Sequence, residues 1–297
     1  LIEWIKTEPR FDVINLPYTL LLGLAEPLKR TLNTPICCTL QGEDLFLDGL
    51  GEPWKQQSMD LIRAASTHVD AFLPVSRYYF DYMPGYLGVP REKMRLVPLG
   101  INLEGYAPRP ARRQEPFTIG YFARIAPEKG LHVLADAYRR LRTRPGIGQS
   151  RLVAAGYLAP EPRAYLEGIT NDLTAWGLQG QFEYRGAVDR AQKIGYLRSL
   201  DVLSVPATYE EPKGIFLLEA MANGVPVVQP RRGAFPEVVE TTGGGLIVEA
   251  DNPEALADGF QALWQDPARA AALGAAGAAG VKQHYSVDRM AESAESV

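Results

Sequence analysis

The chain has 297 residues, of which 46% are hydrophobic and 22% charged. That is enough apolar material for one large or two smaller cored domains, and it argues against disorder. A net charge of −4 with interspersed signs gives no field that favours nucleic acid, and no apolar run approaches the ~20 residues that cross a bilayer.

In chain order, the first unit reads as strands at Phe11–Asn15, Ile36–Leu40, Ala71–Val75 and Met94–Pro98, with helices at Tyr18–Leu32, Ser58–Ala65 and Ser76–Leu87. Cys37 and Cys38 are neighbours on a strand and point to opposite faces, so they are expected as buried free thiols. A Pro/Arg-rich stretch from Ala107 to Arg113 reads as a linker. The second unit opens on a strand at Phe117–Ala123 and a helix at Lys129–Leu141 with apolar residues at 131, 134, 138 and 141. Strands at Arg151–Tyr157, Gln181–Tyr184, 201–206, 225–228 and 245–249 follow. They alternate with helices at Glu161–Trp176, 189–199, 215–223 and 234–240, and three more helices (253–265, 267–283, 286–296) end the chain. This succession of βα pairs specifies a doubly wound, Rossmann-like domain. The first unit has fewer strands, and the chain starts at Leu1 inside what reads as a domain, so that domain is expected to be incomplete or else unusually short. The expected division is 1–106, a linker at 107–116, a second domain at 117–283, and a final helix at 284–297 returning to the first. Arg139, Arg140, Arg142 and Arg144 crowd one helix end, which is either a solvated surface or a contact for anionic lipid.

The most informative stretch runs from Glu211 to Val228. Its helix carries Glu219 among Leu217, Leu218, Ala220, Met221 and Ala222, a pattern that buries the carboxylate and obliges it to find a partner. The partner is either the vicinal hydroxyls of a ribose or a structural bond. Gly214 stands where this helix starts and its free N–H groups can receive an anion. Glu211, in the loop before it, either holds sugar hydroxyls or forms with Glu210 a solvated acidic loop. A second constellation, Gly120 to Gly130, sets Arg124 after the first strand of the unit and Lys129 at the following helix start, two cations suited to a diphosphate. The histidines (His68, His132, His284) and cysteines show no metal-ligand spacing.

These two constellations together resemble the retaining nucleotide-sugar transferases of glycosyltransferase family 4, which adopt the two-domain GT-B fold. The Glu-x7-Glu motif matches Glu211 and Glu219 inside the frame Gly-Ile-Phe-Leu-Leu-Glu-Ala-Met-Ala-x-Gly-x-Pro-Val-Val, and Arg124 and Lys129 match the family's Arg/Lys pair. The resemblance implies an α/β chain of two Rossmann-like domains that moves a hexose-type sugar from a UDP- or GDP-sugar to a sugar, glycan or lipid acceptor. It implies that Arg124 and Lys129 hold the diphosphate, and that Gly214, Ile215 and Phe216 offer backbone N–H groups. Glu211 would touch the transferred sugar, Glu219 the ribose, and Gly186 to Val188 the base. Nucleotide-sugar is then a co-substrate, with no cofactor and no metal. Where relatives carry His before Gly on the acceptor side, this chain has Gln41-Gly42, so no proton-transfer role carries over. Lys213 replaces a usual aromatic or apolar residue. A cytoplasmic place, with contact to the inner face of the membrane, is the corresponding expectation. Two alternatives stand beside it: a nucleotide-sugar-binding fragment without transfer, and a GT-B epimerase.

Overall fold

A computed structural model describes residues 1–108, 116–160 and 163–297. Most of the expected linker, and the expected helix start at Glu161, lie outside these residues. The chain forms two compact units, one of Leu1–Leu99 with Met290–Val297 and one of Gly100–Arg289. The division at 99/100 precedes the Pro/Arg-rich stretch because Ile101 is already tied into the second unit. Its N–H donates to Tyr285 O at 2.8 Å, and it forms a parallel bridge with Ser286.

The first unit holds a parallel sheet of β1 (Ile14–Leu16), β2 (Ile36–Leu40) and β3 (Ala71–Pro74), in that order. β2 pairs Cys37 with Ala71 and Leu40 with Pro74. Helices at Ala25–Leu32, Trp54–Ser66 and Arg77–Leu87 cover it, and their apolar stripes close a core with Ile36, Leu40 and Phe72. The expected fourth strand at 94–98 is reduced to a bridge between Phe72 and Met94, with Arg95 and Val97 still donating to Phe72 and Pro74. The neighbouring strand explains the shortfall: Pro74 has no N–H to return a bond to Arg95 O, so the ladder stops after one bridge. Tyr18–Leu32 splits into a 3₁₀ turn at Thr19–Leu24 and an α-helix from Ala25. Met290 packs against Cys37, Ala71, Leu73 and Val97.

The second unit is a six-stranded, wholly parallel sheet: β4 (Phe117–Phe122), β5 (Ser150–Ala155), β6 (Phe182–Tyr184), β7 (Val202–Leu203), β8 (Val227–Pro230) and β9 (Gly245–Val248). The spatial order is β6-β5-β4-β7-β8-β9, so the chain works outward from β4 to β6 and then crosses to β7 on the other side. Both faces are packed. Ile119, Leu152 and Val228 join one core while Val153, Leu203 and Val227 join the other, the double burial that parallel sheets require. The strand expected at 201–206 pairs over only two residues before turning into a loop. Helices 253–265 and 267–284 fall where the apolar period places them.

No helix among the described residues is long and apolar enough to cross a membrane. The four arginines near the helix end are engaged locally. Arg139 and Arg140 pair with Asp136, Arg140 and Arg144 with Glu254, and Arg142 donates to Gly148 O at 2.6 Å.

Candidate active site

Ligands of open α/β sheets bind beyond the carboxyl ends of the strands where the order reverses, and in this sheet the reversal lies between β4 and β7. The chain leaving β4 carries Arg124 and Lys129; the chain leaving β7 carries Tyr209, Glu211 and Gly214. Gly130 brings the two loops together. Its φ is +74°, and a Cβ there would sit 1.9 Å from Pro206 O, so only glycine allows this approach. Thr208 N donates to Glu128 O at 2.9 Å across the same seam.

Lys129 and Glu211 meet in the crevice. Lys129 Nζ donates to Glu211 Oε2 at 2.5 Å and to Tyr209 Oη at 2.5 Å, and lies 4.8 Å from the Tyr209 ring centroid. The Tyr209 hydroxyl also bonds Glu211 Oε2. Glu211 is only 2% exposed. Burial works to raise its pKa, but the Lys129 charge and the bonds from Lys129, Tyr209 and the Lys213 N–H outweigh it and hold the carboxyl below its usual value. Of the two acidic neighbours in this loop, Glu210 pairs with Arg232 at 3.0 Å, and Glu211 turns inward.

Gly214, in the left-handed region, is the N-cap of the helix Ile215–Ala222, and no side chain caps it. Its N–H lies 3.5 Å from Glu211 Oε1, while the start of the helix leaves orphan N–H groups at Ile215 and Phe216. Phe216 packs edge-on against Phe235 at 5.9 Å. Arg124 is about half exposed and is joined to Glu128, in its own loop, rather than to Glu211.

Glu219, 8% exposed, lies in the following turn. Its partner within the protein is the one the sequence left open: Lys193 Nζ at 2.6 Å and Tyr106 Oη at 3.0 Å, both donating to Oε1. Neither residue, nor Tyr209, was singled out in the sequence. A lysine four residues after the cap Asp189 reads as an ordinary surface charge, and Tyr106 lies 113 residues away. Gly186 accepts from Gly156 N at 2.9 Å beyond the edge strand β6, and Val188 packs on the second core.

In the first unit Gln41 and Gly42 form a turn closed by a residue sequence reasoning passed over. Glu43, buried, accepts from Gln41 N at 2.8 Å and Gly42 N at 2.9 Å. The Gln41 amide donates to Pro17 O at 2.8 Å, so one of its two N–H groups is occupied at home. Among the described residues no group of three His, Cys, Asp or Glu side chains is arranged to hold a metal ion.

A doubly wound parallel sheet with Lys129 and Glu211 paired at its switch point places this unit in the open α/β class, and the comparisons narrow it. The chain belongs to the glycosyl transferases group 1 family, whose model matches residues 106–279, more than half of it; the Glycosyltransferase Family 4 model matches residues 1–104. Among curated proteins, it is 28% identical over 242 residues to the GDP-mannose-dependent alpha-(1-6)-phosphatidylinositol monomannoside mannosyltransferase of Mycolicibacterium smegmatis, covering 76% of this chain and 60% of that protein. It is 30% identical over 227 residues to the D-inositol 3-phosphate glycosyltransferase of an Arthrobacter species, covering 72% of this chain and 51% of the relative. The chain thus spans half to three fifths of the length of these curated relatives. Its fold matches that of Anabaena HepE solved with UDP (TM-score 0.84, 21% identity, 99% of this chain and 81% of the other). It also matches sucrose-phosphate synthase from Thermosynechococcus elongatus (TM-score 0.82, 22% identity, 99% and 75%). The C-terminal domain of a group 1 family protein, LpcC of Francisella tularensis, aligns over its whole length with 63% of this chain (TM-score 0.56, 23% identity). Two parallel α/β units of the GT-B kind are therefore its architecture.

Proposed function

We propose that this chain carries the donor site of a retaining glycosyltransferase that moves a hexose-type sugar from a UDP- or GDP-sugar to a sugar, glycan or lipid acceptor. The observation that carries the reading is the meeting of Lys129 and Glu211 across the switch point, beside the uncapped helix start at Gly214. Departure of a nucleoside diphosphate puts negative charge on the leaving oxygens, and fixed cations and oriented N–H groups are the largest means of lowering that barrier. In this reading Arg124 and Lys129 hold the diphosphate and Gly214, Ile215 and Phe216 supply N–H groups. Glu211 meets the transferred sugar, Glu219 the ribose, and Gly186 to Val188 the base. Gln41 and Gly42 belong to the acceptor side. Attack on the same face as departure retains configuration without a protein nucleophile, and the Lys129 and Arg124 charges do the work without a resident metal or cofactor.

One relative is named for a phosphatidylinositol-linked acceptor, which supports contact with a membrane face; a place on its cytoplasmic side is part of the same proposal. The tied arginines at 139–144 offer that contact little. Calorimetric titration with UDP and GDP tests the donor site. One nucleotide should bind saturably, and Glu219→Ala and Arg124→Ala should each weaken it; no binding by folded protein would overturn the reading. Since the chain spans only part of its relatives, binding without transfer is the second outcome to separate, by a sugar-transfer assay on the same sample.

A further inference from the structure

The surroundings of Glu219 are more organised than burial of a carboxylate requires. Leu217, Leu218, Ala220, Met221 and Ala222 are all buried around it, so the charge depends on what reaches it from other elements. Lys193 and Tyr106 do so, and both bond the same oxygen, Oε1. A carboxylate has about four acceptor positions on two oxygens. Among the described residues Oε2 receives no side-chain hydrogen bond.

Each partner is itself held. Lys193 rides on the helix Arg190–Arg198, whose start is fixed by a capping box between Asp189 and Gln192. Further along that helix the buried Tyr196 hydroxyl accepts from Tyr121 N at 3.1 Å and lies 2.8 Å from the carbonyls of Tyr121 and Val153, clamping the helix to β4 and β5. The Tyr106 ring lies under the Arg190 guanidinium, 5.4 Å from its centroid, and that guanidinium donates to Asn102 O and Glu104 O at 3.1 and 2.8 Å. Lysine on its long stem supplies charge with little directional control; the tyrosine hydroxyl supplies the direction.

We propose that Lys193 and Tyr106 are positioning residues that fix Glu219 through Oε1 and leave Oε2 to accept from ribose hydroxyls, so that they set the preference of the site for ribo- over deoxyribonucleotide. The inference rests on the reading of Glu219 as the ribose ligand. Neither residue touches the nucleotide in this scheme; they act through the carboxylate, prepared before the ligand arrives.

The test is calorimetry on the full chain with UDP and GDP, their 2′-deoxy forms, and the matching monophosphates, for the wild type, Tyr106→Phe, Lys193→Met, Lys193→Arg and Glu219→Gln. A charge-assisted hydrogen bond predicts about tenfold to a hundredfold tighter binding of the ribonucleotide by the wild type. Tyr106→Phe should reduce that ratio severalfold and Lys193→Met bring it close to one, with Lys193→Arg restoring part of it. The preference for diphosphate over monophosphate should not move. A ratio unchanged in Tyr106→Phe and Lys193→Met but abolished in Glu219→Gln would overturn the positioning role and keep the ribose reading. A ratio that also survives in Glu219→Gln would overturn both. Should Lys193→Met fail to fold, Tyr106→Phe, which keeps the cation, decides the matter alone.

Discussion

The two carboxylates Glu211 and Glu219 are each buried and each meet a lysine, yet the sequence foretold them unequally. That Glu219 needs a partner follows from its apolar neighbours alone, because a buried charge is stable only when compensated. Which groups compensate it did not follow, since Lys193 and Tyr106 come from other elements and reach it only through the fold. Glu211 looked like half of an acidic surface loop, but the structure places its Oε2 against Lys129 and Tyr209. Here the pairing carries a testable consequence. Lys129→Met leaves Glu211 buried without its cation and should cost about 3–5 kcal/mol in urea unfolding. The double variant Lys129→Met, Glu211→Gln should recover much of that loss, while nucleotide binding stays impaired in both. The acid limb of stability adds a second readout. The folded-state pKa of Glu211 lies below its unfolded value, so its contribution is fully present above about pH 4.3, the unfolded value, and disappears as pH falls through the folded one. The advantage of wild type over Glu211→Gln should therefore shrink below about pH 4. An advantage that is flat from pH 7 downward would show that the pair does not hold the carboxylate ionised.

At the scale of elements, the helices and strands of the second unit were legible because a parallel sheet buried on both faces writes continuous β-branched runs, and amphipathic helices write a 3.6-residue period between them. What periodicity does not encode is how short a strand can be. β7 pairs over two residues and then gives its remaining length to the loop that carries Tyr209 and Glu211. Nor does it reveal the seam made by Gly130, which no helix or strand pattern calls for. Two glycines with nearly the same backbone separate that seam from mere conformation. Gly146 has a φ of +77° and open space at its Cβ position, whereas Gly130 at +74° faces Pro206 O. Gly146→Ala should cost only the left-handed penalty, about 1–2 kcal/mol, and leave nucleotide affinity intact. Gly130→Ala should cost distinctly more and abolish binding, because the helix start bearing Lys129 must retreat from the β7 loop. Equal losses of stability with binding unchanged in both would show that the close approach does not build the site.

For the molecule as a whole, every residue assigned to the donor falls in one unit, Gly100–Arg289, and so do both of its sheet-face cores. The loop bearing Tyr106 belongs to it as well, because Ile101 is bonded to Tyr285 and bridged to Ser286. A boundary at 106/107, where the Pro/Arg-rich composition begins, would part Tyr106 from Glu219, whereas the backbone pairing of Ile101 sets the compact unit's edge at 99/100. It follows that residues 100–289 expressed alone should unfold cooperatively and bind the same nucleotide as the full chain with an affinity within about threefold, a difference of under ~1 kcal/mol. A fragment started at residue 107 should bind more weakly and lose its discrimination against the deoxynucleotide, since it lacks Tyr106. Transfer to any acceptor should be absent from both, because Gln41 and Gly42 lie in the other unit. Full affinity in the 107–289 fragment would separate Tyr106 from the donor site. Failure of the folded 100–289 fragment to bind, where the full chain binds, would mean that the first unit supplies part of the donor site.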